Sequence, residues 1–168
     1  MIYLDNAATT PICDAARKAI IEHLDDFGNP SSVHELGYKA RMLIEEARAK
    51  IAQCINAEPD EIYFTSGGSE ANTWALSYGL TFASKIEHHS IVPDKFYDTI
   101  DNFGIVVVND LEQMIRKRRM PDMISCMIVN NEIGVIQPVK SIARMSHHNG
   151  LLFHTDAVQS VGHITVDV

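Results

Sequence analysis

The groups best suited to chemistry in this sequence stand where apolar runs give way to polar ones. Residues 151–160 read Leu-Leu-Phe-His-Thr-Asp-Ala-Val-Gln-Ser. The apolar run follows Asn149 and Gly150, reads as a buried strand, and delivers a carboxylate, Asp156, at its C-terminal edge. Open α/β sheets bind ligands in the crevice at such edges. A carboxylate there can pair with a cationic heterocycle, and Gln159, three residues on, can touch the same ligand. The plainer role for Asp156 is to cap the turn that follows. A second candidate site is the run Ser66, Gly67, Gly68, Ser69, set between an expected strand at 61–65 and a helix that continues through Trp74 and Leu76. Glycines let backbone N–H groups approach a phosphate, the Ser69 hydroxyl can donate, and a helix N-terminus is electropositive. A serine N-cap after a tight turn is the simpler alternative. His88 leaves an expected strand at 85–91, either as an ordinary polar loop residue or as a ring that stacks on a planar ligand. Asn131 sits in a polar run, residues 130–134, at the end of another expected strand.

These groups require elements that bring strand ends to one edge. The sequence predicts a short extended arm over residues 1–11, a helix over 14–24, and a loop of turn formers at 27–32. The clearest helix runs from 33 or 34 to 55, with Leu36, Ala40, Leu43, Ile44, Ala47, Ile51 and Ile55 on one face. Beyond the two segments already described come a helix at 93–102, a strand at 104–108 and a helix at 110–118 with Asp110 as N-cap. A central strand at 123–129 follows, chosen for its apolar continuity, and then a helix from Pro138 to His148. Strands alternating with helices imply an α/β fold with a doubly wound sheet. No repeat or linker interrupts it, so residues 1–168 read as one domain.

Composition narrows the classes of partner. A net charge of −8 and a pI near 5.4 leave no basic face for phosphates, which excludes nucleic acid. The one basic cluster, Arg116, Lys117, Arg118 and Arg119, suits the solvated end of a helix. No apolar run is long enough to span a membrane, and the N-terminus has no signal-peptide pattern. Cys13, Cys54 and Cys126 are few and widely spaced, which suggests reduced thiols in a cytoplasmic protein and no metal site. The adjacent histidine pairs 88–89 and 147–148 diverge on any helix or strand, so neither makes an obvious ligand set.

Five ordered blocks resemble one family. They are residues 3–11 (Tyr-Leu-Asp-Asn-Ala-Ala-Thr-Thr-Pro), residues 27–32 with His34, residues 64–72, residues 129–134 and residues 156–162. They are similar to the cysteine desulfurases, the class V branch of the fold-type I enzymes that use pyridoxal 5′-phosphate (PLP). The resemblance implies a three-layer mixed or parallel sheet, the large domain of that fold, truncated and without its small C-terminal domain. Residues 1–32 would be arm, helix and loop, and 33–168 the sheet core. It also implies roles. Gly68 and Ser69 match the positions that hold the cofactor phosphate. His88 matches the histidine stacked on the pyridine ring, a candidate acid/base. Asn131 matches the residue touching the ring hydroxyl region and the substrate, and Gln159 the side chain that bonds the ring oxygen. Asp156 matches the carboxylate facing the ring nitrogen, where an opposite charge keeps that nitrogen protonated and strengthens the ring as an electron sink.

The resemblance also implies parts with no match here. No lysine follows Lys140, no arginine follows Arg144 and no cysteine follows Cys126. The Schiff-base lysine, the substrate-binding arginine and the sulfur-accepting cysteine of the family therefore have no counterpart, and the three cysteines present match none of them. The stretch 77–110 is shorter than the family pattern. The expectation is the N-terminal part of a desulfurase that converts L-cysteine to L-alanine and a persulfide for iron–sulfur cluster assembly or thiolation, inactive alone. It would work as a homodimer or with a complementary C-terminal chain, and pass sulfur to an acceptor protein. The alternatives are a non-catalytic binding or dimerisation module, and part of a selenocysteine lyase or another class V aminotransferase.

Overall fold

The computed structural model describes residues 2–117 and 120–168; Arg118 and Arg119 of the basic cluster lie outside the described residues. The chain divides into two compact units, one running to Tyr63 and including Val166–Val168, the other Phe64–Thr165.

In the first unit, α1 covers Asp14–Glu22 and α2 covers Glu35–Ile55. His34 caps α2: its Nδ1 accepts from the Gly37 N–H at 3.3 Å, which satisfies one of the orphan donors of a helix start. Asn56 ends the helix in the left-handed conformation, φ 59°, a common C-terminal stop. The apolar stripe on α2 exists but stays largely uncovered: only Gly37 and Ala52 are buried, while Leu36, Ile44 and Ile51 are exposed. The C-terminal residues return to this helix, with Val168 N–H donating to Ile55 O at 3.1 Å and Asn56 Nδ2 to Asp167 Oδ1 at 2.8 Å. The strand expected at 61–65 is absent. Pro59–Glu61 forms a 3-10 turn instead, and Tyr63 and Phe64 are exposed; a strand needs a ladder partner, and no described strand pairs with this segment.

Gly37 carries a testable constraint. A Cβ there would lie 2.5 Å from Ser32 O and 2.7 Å from Asn29 O, backbone atoms that cannot swing aside. Gly37→Ala should therefore destabilise the fold by about 1–3 kcal/mol through overpacking, although alanine is the better helix former by about 1 kcal/mol. Thermal melts followed by circular dichroism will show the sign.

The second unit is built on a four-stranded sheet, β1 Thr81–Ser84, β2 Lys95–Tyr97, β3 Met123–Ser125 and β4 Leu152–His154, in the order β2-β1-β3-β4 with every pairing parallel. Around it lie α3 Gly68–Leu76, α4 Val108–Arg116 and α5 Val139–His148. In register, Lys95, Phe82, Ile124 and Phe153 form one row across the sheet. Leu111 and Ile115, one turn apart on α4, and Ile142 on α5 are fully buried in the same core cluster as Ile124.

Several expected elements move. The strand expected at 85–91 lies upstream, at β1, and residues 85–91 form the loop leaving it. The helix expected at 93–102 is absent and β2 occupies part of that stretch. The Asp94 carboxylate takes the Thr81 N–H at 2.7 Å, and the buried Tyr97 donates its hydroxyl to Ser125 O at 2.9 Å. Asp101 then accepts from the Phe103 and Ile105 N–H groups at 2.8 and 2.9 Å, a side-chain turn that competes with helix. The strand expected at 104–108 shrinks to a bridge between Val106 and Ile100. Val107, not Asp110, is the N-cap of α4. β3 is interior to the sheet and buried throughout, but it covers only 123–125 of the strand expected at 123–129. β4 is an edge strand, with Leu152 exposed.

Candidate functional site

Parallel strands carry their C-terminal ends to one edge. There the loops after β1 and β4 reach α3, and the loop after β3 is tied to the one after β1 through Asn130. Val158 packs against this helix start: a Cβ on Gly68 would lie 3.3 Å from Val158 Cγ2. One turn along α3, the buried Asn72 donates from Nδ2 to Asp156 Oδ2 at 2.8 Å. Asp156 Oδ1 accepts the Val158 N–H at 2.9 Å, so this carboxylate does cap the turn after β4, and it also holds a helix from across the edge.

The first N–H groups of a helix have no intrahelical acceptor, and Gly67, the N-cap of α3, supplies no side-chain cap. Gly68 and Ser69 therefore present uncapped donors in an exposed first turn. Glu70 folds back, taking the N–H and hydroxyl of Ser66 at 2.7 and 2.5 Å; those bonds hold its carboxyl below the ordinary range.

His88 and Asn131 line a cleft of about 290 Å³ together with Lys85, Glu87, Asn130 and Glu132. The loop behind Asn131 is rigidly made. Asn130 is buried, donates from Nδ2 to Ile86 O at 2.7 Å, and accepts from the Glu132 and Ile133 N–H groups at 2.9 and 2.8 Å. The structural duty falls on Asn130, and the Asn131 side chain makes no hydrogen bond among the described residues. His88 sits in its loop with Nδ1 2.8 Å from Ser90 Oγ and accepting the Ser90 N–H at 3.2 Å. Gln159 is half-buried in the turn after β4. Of the residues expected at the site, His88 and Asn131 share the cleft, Asp156 and Gln159 share the β4 turn, and Gly68 and Ser69 share the start of α3.

Beneath this edge lies a polar group that the sequence did not mark. Glu87 Oε1 accepts from Ser125 Oγ at 3.0 Å and from the Met127 N–H at 3.1 Å, while Oε2 is buried with no partner. Burial, reinforced by the nearby charge of Asp156, raises its carboxyl to about 7 against the pull of those two bonds. Ser125 Oγ is also 2.9 Å from His154 Nδ1, and burial lowers the His154 ring below its ordinary value although Asp156 opposes this. Cys126 is buried and its thiol is pushed up to about 12, chiefly by burial, which leaves it inert as a nucleophile. Cys13 and Cys54 are exposed. Among the described residues no cluster of three or more His, Cys, Asp or Glu is placed to hold a metal, and no helix is long and apolar enough to cross a membrane.

The family described as Aminotransferase class-V matches residues 2–168. The chain belongs to the aminotransferase class-V family. Within that family it is similar to cysteine desulfurases. It is 39% identical to cysteine desulfurase IscS of Methanosarcina thermophila, over 99% of this chain and 46% of that protein. It is 43% identical to cysteine desulfurase IscS of Dictyoglomus turgidum, over 99% of this chain and 47% of that one. The fold is similar to that of a NifS-like protein from Rickettsia africae, with a TM-score of 0.91 and 34% identity over 99% of this chain and 50% of that chain. A structure titled SspA in complex with cysteine gives 0.90 and 32%, over 99% of this chain and 53% of that one. The parallel α/β sheet is thus the one seen in these solved structures. The chain spans about half the length of these relatives. The first two alignments run over 188 positions against a chain of 168 residues, so the relatives carry segments that this chain does not.

Glu87, Asn72 and Ser90 are the site residues that sequence reasoning missed. For Asn72 a signal existed: it stands four residues after Gly68, hence on the same face of α3. Nothing in the sequence distinguishes Ser90 from any other loop serine.

Proposed function

We infer that this chain is the cofactor-holding part of a PLP-dependent cysteine desulfurase. The observation that carries the reading is Asp156: a buried carboxylate fixed by Asn72 at a strand's C-terminal end, next to an uncapped helix start. The donor set suits PLP. Gly68 and Ser69 would take the phosphate, where N–H groups and the helix dipole favour an anion. Asp156 would face the ring nitrogen, His88 would stack on the ring, Gln159 would bond the ring oxygen, and the free amide of Asn131 would meet substrate. When bound, PLP supplies an electron sink for bonds at the α-carbon of an amino acid. Asp156 contributes by holding a proton on the ring nitrogen through its opposite charge.

L-cysteine is the proposed substrate, L-alanine the product, and a cysteine thiol the first sulfur acceptor, as a persulfide. The relatives named cysteine desulfurase and the neighbour solved with cysteine support this choice. No residue among the 168 matches the lysine, arginine or acceptor cysteine of that chemistry, so the working assembly draws them from further polypeptide. The exposed stripe of α2 supports such an assembly with a complementary C-terminal segment; a second copy of this chain would pair there without supplying those three groups. The reading is of a protein acting in the cytoplasm and feeding iron–sulfur cluster assembly.

The test is titration of the purified chain with PLP, followed by absorbance. Saturable binding is expected, and Asp156→Asn should weaken it about tenfold, the worth of one interaction with a charged group. Borohydride reduction should leave no cofactor attached to the protein. Absence of saturable binding sinks the reading, and a covalent adduct would assign the lysine role to this chain.

A further inference from the structure

The three hydrogen bonds around Asn72 run in a line from one candidate cofactor residue to another. We propose that Asn72, through Ser90, is a positioning residue that joins His88 and Asp156 into one unit and fixes the tautomer of His88. The inference rests on the PLP reading for its purpose but not for its geometry.

The Ser90 N–H bond to His88 Nδ1 sets the order of donors and acceptors along the line. Asp156 Oδ2 offers no proton when ionised, so the Asn72 atom 2.8 Å from it must be the amide nitrogen. That nitrogen has a second proton, and Ser90 Oγ accepts it at 3.0 Å. The serine hydroxyl then has its own proton to give, and the remaining neighbour is His88 Nδ1 at 2.8 Å. The Ser90 N–H also points at Nδ1, 3.2 Å away. Two donors converge on that ring nitrogen, so Nδ1 is an acceptor and the neutral ring carries its proton on Nε2. Every proton on the line is used once, and none is left over. Asn72 is buried and Ser90 half-buried, so water does not readily replace either partner.

The consequence is that the stacking ring and the ring-nitrogen carboxylate cannot adjust separately. Turning His88 about its χ angles breaks the Ser90 bonds, and losing Asn72 releases both Asp156 and Ser90. A residue that merely fills space in α3 would do neither.

Two measurements on the full chain test this. Long-range proton–nitrogen correlation spectra read histidine tautomers, with the His88 signals identified by their loss in His88→Gln. The expected pattern is Nε2–H for His88, with the Nδ1 signal shifting in both Ser90→Ala, which keeps the backbone donor but loses the hydroxyl, and Asn72→Ala, which releases that hydroxyl. An Nδ1–H pattern in the unmodified chain, or no change in either variant, overturns the proposal. The second measurement is PLP affinity. Asn72→Ala should weaken binding roughly tenfold, as loss of a hydrogen bond to a charged group does. Asn72→Ser, which keeps a short donor in case the alanine variant fails to fold, should fall between. The double variant Asn72→Ala, Asp156→Asn should bind more weakly than Asp156→Asn alone, because Asn72 also holds Ser90, but by less than the full Asn72→Ala loss, because the Asp156 arm is already gone. Additive losses, or Asn72 variants that bind like the unmodified chain, overturn it. If the unmodified chain takes up no PLP, the functional reading falls, and the histidine spectra still decide whether the Asn72 line exists.

Discussion

Ile124→Ala is expected to lower the stability of the Phe64–Thr165 unit by about 3–4 kcal/mol, while Leu152→Ala stays within about 0.5 kcal/mol. Both residues are aliphatic and both lie in strands of the same sheet. Ile124 is fully buried in the middle of β3, with Phe82 on one side and Phe153 on the other in register. Its neighbours are pinned by the ladders of two flanking strands, so the space left by three carbons cannot close easily, and the cavity term adds to the lost transfer energy. Leu152 is 54% exposed on the edge strand, where truncation removes little from water. Total stability for a domain of this size is about 5–15 kcal/mol, so the first loss is a large fraction. Urea denaturation followed by the fluorescence of Trp74, the single tryptophan of the sequence and a member of this unit, measures both variants. Equal losses would show that β3 is not the centre of the core.

That core was legible where the sequence pattern carries its own partner. The apolar run at 123–129 reads as a strand covered on both faces; β3 takes only its first three residues, Met123–Ser125, and those are buried throughout. The helix from Pro138 has its stop signals built in, Asn149 and then Gly150 at φ 73°. Where the partner lies elsewhere, pattern failed. Residues 93–102 have enough apolar spacing for a helix, yet Tyr97 finds Ser125 O across two strands, a contact with no local signature. The stripe on α2 was read correctly as amphipathic, but amphipathicity says nothing about what covers it, and Leu36 and Ile51 remain exposed.

The candidate site divides the same way. The structure places Asp156 in the turn after β4 and Gly68 and Ser69 at the start of α3, the element ends where the sequence put them and where a ligand would bind. Asn72 and Ser90 owe their roles to three hydrogen bonds between residues 18 and 84 positions apart or in one loop, which only the packed sheet edge creates. Asp156 also shows that the two readings of one residue were never exclusive: it caps its own turn with Oδ1 and holds Asn72 with Oδ2. Charge placement was the least legible. Glu87 was not singled out from the sequence, and here it is folded under the site.

Glu87 therefore predicts a pH dependence whose sign is fixed. A glutamate in the unfolded chain releases its proton near 4.5, whereas folded Glu87 holds it to about 7. Between those values the native state binds a proton that the unfolded state has lost, so stability falls as pH rises through the window. At ~1.4 kcal/mol per pH unit, the loss accumulated above the window is on the order of 3 kcal/mol. Below about pH 4.5 both states are protonated and the effect vanishes. Glu87→Gln removes the titration while keeping the oxygen that accepts from Ser125 and the Met127 N–H, and its amide takes the place of an Oε2 that has no partner in either case. The variant should match the unmodified chain near pH 4.5 and exceed it by roughly 2–3 kcal/mol at pH 8. Urea midpoints measured across that range give the comparison. The Asp156 charge adds to the rise at Glu87, so Asp156→Asn should narrow the window from its upper end and recover part of the stability lost above it. Parallel profiles for Glu87→Gln and the unmodified chain would mean that Glu87 ionises freely, and that the carboxylate beneath the strand ends is paired in solution by something other than Ser125 and Met127.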